Sequence, residues 1–417
     1  MKNLLKEKLV RVWQFIKAQI ESYRTTIFAN KIKPECDKIE VVFVVYFSEA
    51  FSSFQALYEM LRCDDSFSVH ILCQPSLKSL DKNDSYLFLS EYYAGVINAY
   101  ENSKWYDLKK LAPDYVFYCR PYNPDYYEEY KSSVVRKYAK ICFITYAYNL
   151  ENKRDYNFNF VNNYDFLQNC YYIFASTEYE KNILQKRFVL SSILRNYPKI
   201  LFVGFPRFDL YFNKKEKLLS KQDKPFTILY TPRWTSYKKI RNQESSFLLY
   251  IDNFMNYAKL NSDVQIIIRP HPLMMRHYIT ENIVSPDFFD KLEKSFLQIG
   301  NIHFDKTKDY FDSLDKADVF VSDYTSLLVE YFVSGKPVIY LGKINLFNKD
   351  AKKMCRSFYR ANSWNEIKNF IENIKFGFDS LKIKRNKIFQ KIIKNYGKSA
   401  RNIFDILKNN PDIKGEL

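Results

Sequence analysis

Histidine and glycine are scarce in this 417-residue chain, at 4 and 8 copies. The seven cysteines never form a Cys-x-x-Cys pair, and with so few scattered histidines no zinc pattern exists. Seven is also odd, so free thiols in a reducing cytoplasm fit better than a disulfide framework. No apolar run reaches the ~18 residues that a membrane-spanning helix needs. The N-terminus lacks the apolar core of a signal peptide. No compact aromatic-basic RNA motif occurs, and the positive charge is dispersed, which argues against a nucleic-acid partner.

What is present is apolar bulk and positive charge. Apolar residues make up 47% of the chain and aromatics 18%. The chain is too long for one ordinary core, so two domains are the default. A formal net charge of +17 favours anionic partners, such as a nucleotide, a phosphopolymer or an acidic membrane face. The abundance of Lys, Asn, Ile, Phe and Tyr against so little Gly also fits a compositional skew, which accounts for much of the aromatic content without any function.

Residues 1–33 read as one helix. Leu5, Leu9, Val12, Trp13, Ile16, Ile20, Tyr23 and Ile27 form an apolar stripe at helical spacing. Lys2, Lys6, Lys8, Arg11, Lys17, Arg24, Lys31 and Lys33 crowd the remainder. Two readings stand side by side: an interfacial helix on anionic lipid, or a helix packed on the body of the protein. Pro34 ends it. Residues 34–212 then alternate strand and helix. Ile39–Phe47 and Val69–Cys73 are strands, with His70 expected in the core, and Ser48–Leu61 is a helix. Tyr115–Tyr118, Ile141–Thr145, Tyr171–Ala175 and Ile200–Val203 are further strands. That alternation predicts a Rossmann-like domain. Asn213 to Lys224 is the expected linker. Residues 225–396 repeat the alternation, and 397–417 carry a last helix.

The most informative stretch is 318–341. Val319-Phe-Val321 is a buried strand, Ser322-Asp-Tyr-Thr-Ser326 a hydroxyl-rich loop, and Leu327 to Phe332 a helix stopped by Gly335 and Pro337. Pro337–Leu341 is the next strand. Ligands of parallel sheets bind at strand carboxyl ends beside helix N-termini, and hydroxyls with free backbone N–H groups suit a phosphate there. The plainer alternative is that Ser322 and Thr325 merely cap the helix.

Four motifs occur in order: Gly204-Phe-Pro-Arg-Phe-Asp209, Tyr230-Thr-Pro-Arg-Trp234, Arg269-Pro-His-Pro272, and the Ser322–Ser326 loop with Lys336-Pro-Val-Ile-Tyr340. Together they resemble the CDP-glycerol glycerophosphotransferase family of teichoic-acid and capsule enzymes, over about 170 to 407. Gly397–Ile403 looks like that family's closing helix. The resemblance implies an α/β, GT-B-like fold: two Rossmann-like domains with an interdomain cleft and helical terminal segments. It also implies transfer of a phospho-alcohol from a CDP-linked donor, bound by the second domain, to a lipid-linked or polymer acceptor held by the first. CMP is released. The expected place is the cytoplasm, peripheral on the inner face of the cell membrane, with no metal or other cofactor.

On this reading His271 contacts the donor phosphates or assists departure of the leaving phosphate, as an imidazolium can, the plainer alternative being a structural turn histidine. Ser322, Thr325 and Ser326 bind the pyrophosphate, with Arg269 and Arg233 as further donor contacts. Asp323 shapes the loop or caps the helix, or takes a direct part. Glu330, two turns down the helix, receives ribose hydroxyls or is a solvated charge. Trp234 meets a base or acceptor, or is packed. The chain departs from the family in its first domain. Typical members carry a Trp-His-Gly-Thr-Pro-like motif whose histidine is the candidate base; the matching strand end here is Ile144-Thr-Tyr-Ala-Tyr-Asn149. Either a carboxylate such as Asp125 or Glu128 serves, or the acceptor or reaction differs. A glycosyltransferase using a nucleotide sugar on the same scaffold is the alternative enzyme, and a basic nucleic-acid-binding protein the non-enzymatic one.

Overall fold

The computed structural model describes residues 12, 13, 16, 38–80, 82–152, 163–189, 197–215, 224–235, 245–271, 273–307, 310–344 and 347–410. The expected N-terminal helix, apart from Val12, Trp13 and Ile16, lies outside them, as do most of the expected linker and Pro272. The chain forms two compact units. One comprises Met1–Asn149, Lys153–Lys217 and Lys394–Leu417; the other comprises Leu150–Asn152 and Leu218–Ile393.

In the first unit the strands are β1 (Ile39–Val45), β2 (Phe67–Cys73), β3 (Val96–Asn98), a short hairpin of β4 (Tyr100–Glu101) and β5 (Lys104–Trp105), β6 (Tyr115–Tyr118), β7 (Lys140–Ile144), β8 (Tyr172–Ala175) and β9 (Lys199–Phe202). Seven of them make one parallel sheet in the order β3-β2-β1-β6-β7-β8-β9. Parallel strands are covered on both faces, which is why β1 is continuously apolar from Val41 to Val45 rather than alternating. Val41, Phe43 and Val45 enter one core while Val42 and Val44 enter the other. The closing helix, Ser399–Lys408, drives Ala400, Ile403, Phe404 and Leu407 into the first of these cores.

Two local expectations change. The helix expected from Ser48 is a 3-10 turn over Ser48–Ser53, followed by an α-helix over Gln55–Arg62. Ser52 Oγ donates to Glu49 O at 2.6 Å, the local side-chain bonding by which serine competes with α-helix. His70 is only half-buried. Its Nε2 lies 3.2 Å from both Glu40 Oε2 and Ser68 Oγ, so it is a partnered, partly exposed residue and not a core histidine.

The second unit holds β10 (Phe226–Thr231), β11 (Val264–Ile268), β12 (Ile302–Phe304), β13 (Val319–Ser322), β14 (Val338–Tyr340) and β15 (Tyr359–Arg360). They pair in parallel in the order β12-β11-β10-β13-β14-β15. The chain winds one way from β10 to β12 and the other way from β13 to β15. Between β10 and β13 the order reverses, and such a switch point opens a crevice at the strand carboxyl ends. The first sheet has its own reversal between β1 and β6. Among the described residues no helix is long and apolar enough to cross a membrane.

Candidate functional site

The switch point of the second unit is built from buried polar residues. Thr231 and Ser322 are register partners on β10 and β13. Thr231 Oγ1 donates to Ser322 Oγ at 2.8 Å, and Ser322 Oγ reaches Thr231 O at 2.8 Å. Ser322 is fully buried, so its hydroxyl ties the strands together and is off the surface that a pyrophosphate would touch. Asp323 is also buried. Its Oδ2 accepts the backbone N–H of Arg233 (3.1 Å) and that of Ser246 (2.9 Å). One carboxylate thereby fixes the loop after β10 and the start of the helix Phe247–Leu260 to the loop after β13. Burial pushes the Asp323 carboxyl above its ordinary pKa, and the hydrogen bonds from Ser246 and Arg233 only partly offset this.

Arg233, thus anchored through its own N–H, lies half-buried. Nε donates to Thr235 Oγ1 (3.1 Å), Nη1 donates to Tyr324 O (3.1 Å), and the guanidinium sits 5.1 Å from the Tyr324 ring centre. Desolvation lowers its pKa, without threatening its charge at pH 7. His271 follows β11 and faces the same charge. Burial by surrounding protein and then the Arg233 cation hold its pKa down to about 4. The residue remains solvent-exposed, so water screens part of that effect; the consequence that stands is a ring neutral at pH 7. Its Nδ1 accepts the Leu273 N–H at 3.1 Å, which assigns the remaining proton to Nε2. The imidazolium expected from sequence is therefore replaced by a neutral Nε2–H donor. Trp234 stands beside it, its ring centre 6.3 Å from His271 and 5.2 Å from His277.

Arg269, expected at the donor, is committed elsewhere. Nη1 pairs with Asp305 Oδ2 (2.6 Å) and Nη2 donates to Thr307 O (2.7 Å), which fastens the end of β11 to the loop after β12. Burial raises the Asp305 pKa, but hydrogen bonds from Ser313 and Thr307 and the Arg269 charge outweigh it, so the carboxyl sits below its ordinary value. The Arg269 guanidinium lies 5.7 Å from the Tyr310 ring centre, and Tyr310 Oη donates to Glu330 Oε2 at 3.0 Å. Glu330 is 2% exposed. It is thus a buried acceptor beneath the loop, not a solvated charge.

Thr325 and Ser326 open the helix Leu327–Ser334. Thr325 Oγ1 accepts the Leu327 N–H at 3.3 Å, the capping role that the plainer reading of the sequence gave it. Ser326 is exposed at the N-cap position, with no side-chain cap bond of its own. The structure thus brings Arg233, His271, Trp234 and the Thr325–Ser326 helix start to the carboxyl ends of the adjacent strands β11, β10 and β13, and places Ser322, Asp323, Arg269 and Glu330 as the scaffold under them. Tyr324, Ser246, Asp305 and Tyr310 were missed in the sequence. Asp305 had a signal, being polar and directly after a strand, and Tyr324 lies within the hydroxyl-rich loop itself; the contacts of Tyr310, Ser246 and Tyr324 span 20, 77 and 91 residues of chain, which no local pattern shows.

The first unit places an arginine at its own switch point. The Arg120 guanidinium, after β6, lies within 5.2–5.8 Å of the ring centres of Tyr46, Phe47, Tyr122 and Tyr146. Both acids considered as bases are paired: Asp125 with Arg120, and Glu128 with Lys131. Tyr148, on the strand end where the family histidine was sought, packs against Phe205 and Phe208. The Gly204–Asp209 motif is a latch for the closing helix. Asp209 Oδ2 accepts the Ala400 N–H at 2.8 Å, and Arg207 Nη2 donates to Glu49 O at 3.2 Å. Burial pushes the Asp209 carboxyl up to about 6, against the hydrogen bonds of the helix start. Gly204 has φ +93°, and a Cβ there would collide with Ser399 and Asn395, so glycine is required.

Residues 26–344 match the family described as CDP-Glycerol:Poly(glycerophosphate) glycerophosphotransferase. The match reaches well into the first unit and stops before the closing helix, whereas the motif resemblance began near 170 and ran to 407. No curated relative matches the chain. Among solved structures, a UDP-GlcNAc 2-epimerase from Neisseria meningitidis bound to UDP-GlcNAc is similar at TM-score 0.57 and 16% identity, covering 89% of this chain and 100% of that one. The wall teichoic acid polymerase TagF is similar at TM-score 0.55 and 15% identity, covering 98% and 96%. A variant of TagF soaked with CDPG gives 0.52 and 14%, covering 98% and 96%. At such identities the likeness shows the fold: α/β and GT-B-like, with two Rossmann-like domains.

Proposed function

The chain belongs to the CDP-glycerol:poly(glycerophosphate) glycerophosphotransferase family, and from that premise we propose that it moves glycerol phosphate, or a related polyol phosphate, from a CDP-linked donor onto a teichoic-type or capsular acceptor and releases CMP. An acceptor hydroxyl oxygen forms the new bond to the phosphorus of the alcohol phosphate. The bond from that phosphorus to the bridging oxygen breaks, its electron pair leaves on CMP, and the hydroxyl proton passes to a base. The observation that carries this reading is the convergence of Arg233, neutral His271 and the Ser326 helix start at the switch point of the second sheet.

In this proposal His271 donates Nε2–H to the leaving phosphate, and Arg233 balances its growing charge. Thr325, Ser326 and the helix N-terminus hold the pyrophosphate. Ser322, Asp323, Arg269 and Glu330 act one layer below, by fixing the loops. The acceptor is lipid-linked or polymeric, and the enzyme works in the cytoplasm at the inner membrane face, with residues 1–33 as a contact to anionic lipid. Incubation with CDP-linked alcohols and with nucleotide sugars, followed by assay for free CMP, CDP and UDP, tests the reaction. CMP release from a CDP-alcohol is expected. Turnover of a nucleotide sugar with release of UDP, and none of a CDP-alcohol, would overturn it in favour of glycosyl transfer.

A further inference from the structure

The helix Trp364–Lys375 of the second unit ends in a turn that turns two phenylalanines outward. Gly377 N–H donates to Ile374 O (2.9 Å) and Phe378 N–H to Asn373 O (2.8 Å), with Gly377 at φ +86°. Paired bonds of this kind close a helix, and the residue after the glycine then usually packs back on the last turn. Here Phe378 is 69% exposed and Phe376 71%. Ile383, in the next helix (Lys382–Ile392), is 71% exposed. A single exposed apolar side chain needs no explanation, but three within eight residues do.

The backbone beneath is held firmly. Asp379 pairs with the buried Arg385 and accepts from Tyr359 Oη at 2.9 Å. Arg385 Nε donates to Gly335 O at 2.8 Å, and Leu381 N–H donates to Tyr359 Oη at 3.3 Å. The rings are therefore presented on an ordered turn, with little to lose on docking. The helix that carries Ile383 also carries Lys382, Lys384, Lys387 and Lys391, all exposed. None of the four forms an ion pair among the described residues. The neighbouring acids are already occupied, Glu372 by Tyr257 and Asp379 by Arg385.

We propose that this turn docks on an anionic lipid surface, with Phe376, Phe378 and Ile383 entering the headgroup–acyl boundary and the four lysines resting on lipid phosphates. Charge complementarity selects this occupant. A second copy would bring the same unpaired lysines against these, and an uncharged apolar partner would leave them unanswered. The proposed contact uses none of residues 1–33, and it does not depend on which alcohol is transferred.

The test uses the full chain and reads lipid binding directly, so its outcome is distinguishable from failure of the enzymatic reading. Sedimentation is measured with phosphatidylcholine vesicles and with vesicles that also contain phosphatidylglycerol. F376S/F378S is expected to lower partition onto the anionic vesicles by about tenfold or more. K382Q/K384Q is expected to lower it by about tenfold or more on the anionic vesicles and to change nothing on the neutral ones. Leu260→Ser, exposed elsewhere on the unit, is expected to bind as the parent does. The emission of F378W is expected to be quenched by brominated acyl chains. Parent-like partition of both double variants, or an unquenched F378W, overturns the proposal. So does loss of self-association in lipid-free solution on F376S/F378S, which would assign the turn to a protein contact.

Discussion

Replacing Asp323 separates a scaffold role from a ligand role, because the structure assigns it two backbone donors and no surface. In Asp323→Ala the N–H groups of Arg233 and Ser246 lose their common acceptor inside the protein. Each buried donor left unmade costs about 1–3 kcal/mol. Set against this is the relief of removing a carboxylate that burial disfavours. The net expected loss is about 2–4 kcal/mol, local to the second unit. Asp323→Asn keeps one carbonyl oxygen for both donors and is expected to lose less than half of that.

The variants also differ in pH dependence. A carboxyl whose folded pKa is raised binds its proton more tightly when folded. It therefore makes stability fall as pH rises from the ordinary value of 3.8 to the raised folded one, and contributes a constant penalty above that. Asp323→Asn should remove this slope. Hydrogen exchange in peptides covering β10 and β13, followed through a urea titration at several pH values, reads both quantities within the one unit. Full stability in Asp323→Ala with abolished turnover would refute the reasoning and return Asp323 to the donor as a direct ligand. A wild-type pH slope retained in Asp323→Asn would refute the buried-carboxyl account alone.

Further expectations follow from the same site. His271→Ala should lower turnover by at least about a hundredfold in a folded protein, and near-wild-type kcat would remove His271 from the reaction. The kcat/KM profile of the free enzyme should show no loss from His271 protonation at the ordinary value of 6.5 but only at lower pH, where the Nδ1 bond to Leu273 is broken; an NMR titration of the ring near pH 6.5 would contradict this. Thr325→Ala with Ser326→Ala should raise KM for the CDP-donor more than it lowers kcat, and calorimetry with CMP showing unchanged affinity would exclude the loop. Truncation to Pro34 should leave turnover on a soluble acceptor analogue intact and weaken sedimentation with anionic vesicles in a salt-dependent way; an unfolded truncation product would mark residues 1–33 as a packing element.

The sequence by itself determined the alternation of strand and helix, because apolar runs such as Val41–Val45 and Val319–Val321 can only be covered on both faces in a parallel sheet. It also determined the strand–loop–helix unit around Ser322–Ser326, whose glycine stop and hydroxyl-rich start are local signals, and the family through ordered motifs. Short edge strands such as Val96–Asn98 and Tyr359–Arg360 were not legible, since two or three residues carry no period. Tertiary structure alone decided which motif residues face outward. Ser322 and Ser326 differ by four positions and have the same hydroxyl, yet one is sealed between β10 and β13 and the other is exposed at a helix start. Arg233 and Arg269 each follow a strand, yet Arg269 is neutralised by Asp305, 36 residues away, while Arg233 keeps its charge beside His271. Burial and pairing depend on what the rest of the chain brings alongside, and that information resides in contacts across tens of residues rather than in any window of sequence.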